Sequence, residues 1–181
     1  MSSIPALTLA EITERAIDPA LAFLPPKMDS AEARVQLLAI GLQESGFRDR
    51  RQLILVKRGG RTQLLPEGPA KSFWGAERGG GMVRGVRTHP ATRQYAARLY
   101  ALRGVRPLDA SIWNAIERDD ILAAGLARLL LFSDPYKLPA LGHEQLSWEE
   151  YYRIWKPGKP RRDDWDGNYA RALEFVRGQG A

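Results

Sequence analysis

The chain contains 181 residues, of which 44% are hydrophobic, and this length and content suffice to bury the core of one soluble globular domain. Cysteine is absent, which excludes a disulfide framework and a cysteine-ligated metal site. The formal net charge of +6, from 27 Lys and Arg against 21 Asp and Glu, favours encounters with polyanions such as nucleic acid or an anionic cell envelope, although a solvated basic surface explains it more simply.

The N-terminal region predicts a helix and no export signal. Met1 to Pro5 lack a basic stretch followed by an apolar one, so we expect no signal peptide. Further along, no apolar run is long enough to span a bilayer. Thr8 and Glu11 have the spacing of a capping box, which predicts a first helix that ends before Pro25 and Pro26.

The next predicted helix carries the most informative residue of the chain, Glu44. Asp29 and Glu32 have the spacing of a capping box at its start, and Gly46 predicts its end. Positions at i, i+3, i+4 and i+7 form one face of this helix: Leu37, Ile40, Gly41 and Glu44. We expect this face to be buried, which would raise the pKa of Glu44 and suit a general acid working near neutral pH. The alternatives are an exposed last-turn residue and a buried carboxylate neutralised by an arginine.

A hairpin and a glycine-rich loop are predicted after this helix. Residues 53–57 and 62–65 are apolar and β-branched and flank Arg58-Gly59-Gly60-Arg61, which predicts two short antiparallel strands. Glycine then recurs from Gly68 to Gly85 without the spacing of a nucleotide-binding loop. Such a stretch is typical of tight turns or of a backbone that approaches a ligand closely.

The rest of the chain predicts helices. One helix is expected from Pro90 to about Arg103, one begins at Asp109, and one runs from Asp119 or Asp120 through Phe132. A further helix is expected from Trp148 to Lys156, with Ser147 and Glu150 as its capping box. The last is expected from about Asp164 to Arg177. The strongly apolar residues 121–132 should form the central buried helix. Four aromatic residues share one face of a later helix, Trp148, Tyr151, Tyr152 and Trp155, and this is more typical of a core stripe than of a ligand platform.

This order of elements predicts a single domain over residues 1–181 with an α+β, predominantly helical fold. A small β-hairpin subdomain should face a larger helical part and leave a cleft, with Glu44 at its wall and the site within about residues 29–85. His89 and His143 are too isolated to form a metal site. No GxSxG elbow supports a nucleophilic role for Ser45.

The residues around Glu44 also resemble a known family. Ala39 to Phe47, with the sequence Ala-Ile-Gly-Leu-Gln-Glu-Ser-Gly-Phe, is similar to the glutamate-serine motif of lysozyme-like lytic transglycosylases and goose-type lysozymes, in which that Glu ends a helix. Residues 68–77 stand where the family has Gly-Ala-x-Gly-Leu-Met-Gln along its sugar-binding groove, with Phe-Trp-Gly-Ala-Glu in place of Gly-Leu-Met-Gln. Further stretches occur in the same order as in bacteriophage-encoded lysozyme-like proteins: Gly68 to Ala70, Phe73-Trp74, Thr88 to Thr92, Ser133 to Pro135 and Trp165 to Ala170.

The resemblance implies a lysozyme-like fold and cleavage of the β-1,4 bond between N-acetylmuramic acid and N-acetylglucosamine in peptidoglycan, with no metal or other cofactor. Glu44 would be the general acid. Glu77 is the best-placed second carboxylate, ahead of Glu67, and its alternative role is a salt bridge to Arg78 or Arg84 or a loop position in water. Without a second carboxylate, Glu44 could take a proton from the muramyl 6-hydroxyl, which gives a 1,6-anhydro product.

Four residues are candidates for substrate contacts. Ser45 belongs to the glutamate-serine motif. Phe73 and Trp74 lie in the glycine-rich loop, where aromatic faces can stack on sugar rings, and core packing is the alternative. Tyr136, in the loop after the apolar helix, is a candidate to hydrogen-bond Glu44 or the substrate.

Three functions are compatible with these patterns. The favoured one is a phage-type peptidoglycan-cleaving enzyme that binds glycan strands, is made in the bacterial host cytoplasm without a signal peptide, and acts at the cell wall or within a virion. The second is a virion or tail-associated structural protein with a lysozyme-like fold and weak or no catalysis, which the altered Gly-Leu-Met-Gln segment favours. The third and least favoured is a basic helical nucleic-acid-binding module, which the net charge motivates without any recognisable motif.

Overall fold

Helices dominate the fold, and an antiparallel hairpin interrupts them. The computed structural model describes residues 5–180. Its α-helices are α1 (Leu9–Ile12), α2 (Asp18–Ala22), α3 (Ala31–Glu44), α4 (Val86–Thr88), α5 (Arg93–Leu102), α6 (Asp109–Ala115), α7 (Asp120–Ser133), α8 (Glu144–Trp155) and α9 (Arg162–Gln179). The strands are β1 (Ile54–Arg58) and β2 (Arg61–Leu65), and π-helical or 3-10 turns cover Thr13–Ile17, Pro26–Met28 and Gly81–Gly85. The predicted α+β, predominantly helical class is confirmed.

The N-terminal helix has the predicted start. The Thr8 hydroxyl accepts a hydrogen bond from the Glu11 N–H at 3.1 Å, and the Glu11 carboxylate accepts one from the Thr8 N–H at 2.9 Å. A π-helical turn at Thr13–Ile17 then separates α1 from α2. The expectation of no signal peptide concerns Met1 to Pro5, and residues 1–4 lie outside the described part. Within residues 5–180, no helix has both the length and the apolar character needed to cross a membrane.

The start of α3 differs from the prediction. Its N-cap is Ser30, whose hydroxyl accepts the Ala33 N–H at 3.2 Å. Asp29 instead accepts a hydrogen bond from Arg34 at 2.7 Å. The predicted capping box of Asp29 and Glu32 is therefore wrong, because the neighbouring serine caps the helix and leaves the aspartate to form an ion pair.

The core is built around α3 and α7. Residues 35–43 of α3 and residues 122–131 of α7 are all buried. α9 packs along α3, while α7 contacts α2 and α5. The prediction of a central buried helix at residues 121–132 is confirmed, and α3 is buried to a similar extent.

The predicted hairpin is confirmed. β1 and β2 pair in antiparallel register, with Leu55 opposite Leu64. Gly59 and Gly60 form the two-residue turn with φ values of +56° and +79°, which glycine adopts without steric cost and which match the twist of the strands. Most hairpin side chains are exposed, so the hairpin contributes little to the core.

Two helix starts in the second half of the chain are corrected. α5 begins at Arg93, because Pro90 lies in a turn ahead of it. α8 begins at Glu144, earlier than predicted, so Ser147 and Glu150 are buried inside the helix and form no capping box. Both face α3, where a glutamine side chain donates hydrogen bonds to them. The other predicted helices match α6, α7 and α9 within a few residues.

Candidate functional site

A pocket of about 670 Å³ lies where the end of α3 meets the approach to the hairpin. Its walls come from residues 42–46 of α3 and its cap, residues 48–53 leading into β1, residues 70–75 of the glycine-rich loop, and residues 161–168 at the start of α9. Glu44, the last residue of α3, lines this pocket. The structure therefore brings together four segments that are far apart in the sequence.

Glu44 is partly shielded and is held in place by Tyr151. Its side chain is half-buried at the pocket wall. The Tyr151 hydroxyl donates a hydrogen bond to Glu44 Oε1 at 2.6 Å. Burial raises the pKa of Glu44, and the hydrogen bond from Tyr151 and the charge of Arg161 lower it to a smaller extent. Glu44 thus has access to the pocket and an elevated pKa, which are the two properties that a proton donor needs.

Tyr151 is itself held rigidly by aromatic packing. It is 2% exposed and stacks on Trp165 of α9, with ring centroids 5.0 Å apart and planes inclined by 14°. Trp148 contacts both rings, at 5.4 Å and 5.6 Å. Burial and the nearby Glu44 carboxylate raise the pKa of Tyr151, so its hydroxyl keeps its proton and remains a donor. The prediction of a core stripe is confirmed for Tyr151, and its contact with Glu44 was missed.

The second carboxylate oxygen of Glu44 faces a tight turn in the glycine-rich loop. The backbones of Lys71 and Ala76 exchange hydrogen bonds of 2.9 Å and 2.7 Å, which close this turn. Gly75 lies within it with φ +66°, and a Cβ atom there would be 2.5 Å from Glu44 Oε2. Only glycine fits this position, because it combines a left-handed backbone with close approach to the carboxylate.

Ser45 joins the end of α3 to the same loop. Its hydroxyl donates to the Phe73 carbonyl at 2.9 Å and accepts the Phe47 N–H at 3.1 Å. The Phe47 ring packs over Gly41, where a Cβ atom would be 2.2 Å from the ring. Ser45 also lines the pocket, and its contact with substrate stays a prediction.

Phe73 and Trp74 are core residues. Both side chains are 0% exposed. The Trp74 indole N–H donates to the Leu37 carbonyl at 2.8 Å, and Phe73 packs edge-on against Phe47 at 5.7 Å. The structure corrects the expectation that these rings stack on sugars, because neither presents a face to the pocket.

Three other predicted residues lie outside the residues that line the pocket. Glu77 is exposed, and within residues 5–180 it forms no ion pair with either predicted arginine. Glu67 pairs with Arg58 at 2.6 Å. Tyr136 is 69% exposed and lies beneath the Arg153 guanidinium, 5.0 Å away. Tyr151, rather than the expected Tyr136, is therefore the partner of Glu44, and the exposure of Glu77 agrees with its alternative role as a loop residue in water.

The pocket also carries charged groups that sequence reasoning did not assign to it. Asp49 and Asp164 are its carboxylates besides Glu44, and Arg48, Arg51 and Arg161 are its basic residues. Asp164 pairs with Arg161 at 3.3 Å. The Arg161 guanidinium also donates to the Gln43 carbonyl, which ties the start of α9 to the residue before Glu44. The basic residues suit an anionic or strongly polar ligand.

Within residues 5–180, no group of three or more His, Asp or Glu side chains has the arrangement of a metal site. Comparisons of the chain with protein-family models, curated proteins and solved structures found no match. A function is therefore inferred from the geometry of the pocket and from the resemblance carried by the residues around Glu44.

Proposed function

We propose that this protein cleaves the β-1,4 bond between N-acetylmuramic acid and N-acetylglucosamine in peptidoglycan, with Glu44 as the general acid. The observation that carries the proposal is the placement of Glu44: half-buried, with an elevated pKa, hydrogen-bonded to Tyr151 and open to a pocket of about 670 Å³. The resemblance of residues 39–47 to the glutamate-serine motif of lysozyme-like enzymes agrees with this role.

In the first step Glu44 gives its proton to the glycosidic oxygen while the bond from that oxygen to the muramyl C1 breaks. Burial raises the pKa of Glu44, which favours the protonated form that this step requires. Positive charge then develops at C1, and the ionised Glu44 lies beside it, stabilised by the Tyr151 hydroxyl. The same carboxylate can next accept the proton of the muramyl 6-hydroxyl as its oxygen bonds to C1, which yields a 1,6-anhydro end and restores the acid.

A hydrolytic outcome needs a second carboxylate that activates water. Glu77 is exposed and lies outside the residues that line the pocket, so the structure offers Asp49 and Asp164 in its place. Of these, Asp164 forms an ion pair with Arg161 at 3.3 Å. The two routes give different products, so product analysis assigns the reaction type.

The test is digestion of purified peptidoglycan followed by mass spectrometry of the soluble fragments. Wild-type protein should release muropeptides, and Glu44→Gln should reduce release by roughly a hundredfold or more because it has no proton to donate. Glu77→Gln is the matched control, because it removes an exposed carboxylate outside the pocket, and it should retain activity.

The mass of the released fragments separates the two routes. A 1,6-anhydro end is about 18 Da lighter than a reducing end, because one water is not added. A reducing end that Asp49→Asn or Asp164→Asn abolishes would assign the hydrolytic base. Unchanged release of muropeptides by Glu44→Gln would refute the proposal.

A second candidate function is a virion-associated lysozyme-like protein that has lost catalysis. The burial of Phe73 and Trp74 favours it, because these residues replace part of a segment that lines the sugar-binding groove in the resembled family. This alternative predicts no muropeptide release by the wild-type protein and detection of the protein in purified particles.

A further inference from the structure

One segment of the chain carries a local excess of positive charge beside the pocket. Residues 48–66 run from the pocket wall through β1 and β2 and contain six Lys or Arg residues and one acidic residue, Asp49. The local balance is therefore +5, and residues 78–106, with seven Arg and no acidic residue, form a second cationic segment. Residues 48–66 differ from that second segment in forming the exposed hairpin.

Two of these six cations are in ion pairs, and a third, Arg51, donates to the Gly68 and Glu67 carbonyls. Arg50 pairs with Asp120 at 2.7 Å, and Arg58 pairs with Glu67 at 2.6 Å. The remaining four have no carboxylate within ion-pair distance in residues 5–180: Arg48, Arg51, Lys57 and Arg61. Of these, Lys57 and Arg61 both lie within two residues of the Gly59-Gly60 turn and are exposed.

Exposed leucines accompany this charge. Leu55 and Leu64 are cross-strand partners, so their side chains lie on the same face of the hairpin, and they are 73% and 57% exposed. Lys57 follows on that face, two residues after Leu55. Leu53, 39% exposed, continues the apolar surface towards the pocket that it also lines. We call Leu53, Leu55, Leu64 and Lys57 the hairpin face.

We propose that the hairpin face binds the surface of a lipid bilayer that contains anionic headgroups. The leucines would enter the boundary between headgroups and acyl chains, and Lys57 would remain at headgroup level on the same face. Arg61 lies beside the turn on the opposite face, within the range of the surface charge. Each basic residue near an anionic surface strengthens binding by roughly fivefold. Apolar and cationic groups close together on one exposed element are the combination that interfacial binding uses.

Other occupants match only part of this surface. Nucleic acid would pair with the cations but would leave the three leucines in water or against sugar and phosphate. A second copy of the chain could cover the leucines, but it would bring two cationic segments together, and their repulsion opposes such a contact. An anionic bilayer is complementary to both the charge and the apolar groups.

The experiment is co-sedimentation of the full chain with vesicles of phosphatidylcholine alone or of phosphatidylcholine with phosphatidylglycerol. Binding should require phosphatidylglycerol and should weaken as salt is added. Lys57→Gln combined with Arg61→Gln should weaken binding by roughly thirtyfold. The matched control is Arg98→Gln with Arg171→Gln, which removes the same charge from exposed positions on α5 and α9 and should bind nearly as wild type does.

A second pair of variants tests the leucines. Leu55→Ser with Leu64→Ser should weaken binding by roughly tenfold or more, since both lose apolar area that would leave water. Leu102→Ser with Leu108→Ser is its control, because these leucines are 49% and 53% exposed away from the hairpin. All four positions are exposed, so circular dichroism should report the same helical fold for each variant.

Several outcomes would overturn the proposal. Equal binding to both vesicle types would show that the charge of the headgroups does not contribute. If the control variants lost as much vesicle binding as the hairpin variants, the binding surface would not be the hairpin face. Salt-sensitive retardation of DNA without binding to anionic vesicles would assign the face to nucleic acid instead. The proposal is independent of catalysis, because Glu44→Gln should bind vesicles as wild type does.

Discussion

Replacing Glu150 by Gln is expected to raise the free energy of unfolding at neutral and mildly alkaline pH. Glu150 lies in α8 with 1% of its surface exposed, and burial raises the pKa of its carboxyl from 4.5 to about 7. Gln36 of α3 donates a hydrogen bond to it. The charges of Arg153 and Arg128 favour its ionised form, while that of Asp134 opposes it.

The sign of the pH dependence follows from the direction of this shift. The folded protein holds the proton more tightly than the unfolded chain, so the associated stability is complete below 4.5 and is lost as the pH rises through about 7. One pKa unit corresponds to about 1.4 kcal/mol, so the total loss approaches roughly 3 kcal/mol. Glutamine cannot ionise and still offers Gln36 an acceptor, so the variant should gain up to about this amount near pH 8.

Urea unfolding followed by circular dichroism, at several pH values from about 5 to about 8, measures this difference. Glu149→Gln is the matched control, because it removes an exposed carboxylate from the same helix and should keep the wild-type pH dependence. Glu150→Gln should flatten that dependence. If the free energy of unfolding of Glu150→Gln fell with rising pH as steeply as that of wild type, and were lower at every pH, the buried carboxyl would not cause the pH dependence.

Two further predictions concern Glu44. Tyr151→Phe removes a hydrogen bond that lowers the pKa of Glu44, so the alkaline limb of the pH profile of peptidoglycan cleavage should move to higher pH, and an unmoved limb would contradict the assigned contact. Gly75→Ala places a Cβ 2.5 Å from Glu44 Oε2 on a backbone with φ +66°. It should lower the free energy of unfolding by roughly 2 kcal/mol and reduce cleavage, whereas Gly79→Ala, with open space around it, should change neither.

Local sequence motifs predicted the structure correctly where only neighbouring residues determine it. The capping box of Thr8 and Glu11 and the Gly59-Gly60 turn each depend on a few adjacent positions, and both form as predicted. The corresponding Ser-x-x-Glu pattern at Ser147 does not mark a helix start, because the residues ahead of it are already helical and the serine is buried against α3. A local motif predicts a helix start only when tertiary packing leaves the preceding residues free.

The site was predictable only in part, because its parts meet across long sequence separations. The motif around Glu44 is contiguous and could be recognised. Tyr151 lies 107 residues away, and nothing in its surroundings distinguishes it from an ordinary core aromatic. Aromatic residues such as Phe73 and Trp74 occur both where sugar rings stack and in hydrophobic cores, so the residue type does not separate the two roles. Their complete burial in the fold assigns them to the core.

The two oxygens of Glu44 are fixed by different parts of the chain, and the proposed role as proton donor requires such an arrangement at a helix end. Oε1 accepts a hydrogen bond from α8 through Tyr151, while Oε2 lies against the turn that contains Gly75. The Trp155 indole of α8 donates to the Trp74 carbonyl of that turn at 3.0 Å, so the two supports are themselves connected. The carboxyl cannot rotate away from the pocket without breaking a contact on one side or creating a clash on the other. Preorganisation of this kind would reduce the reorganisation that proton transfer requires, as the proposed role of Glu44 as both acid and base demands.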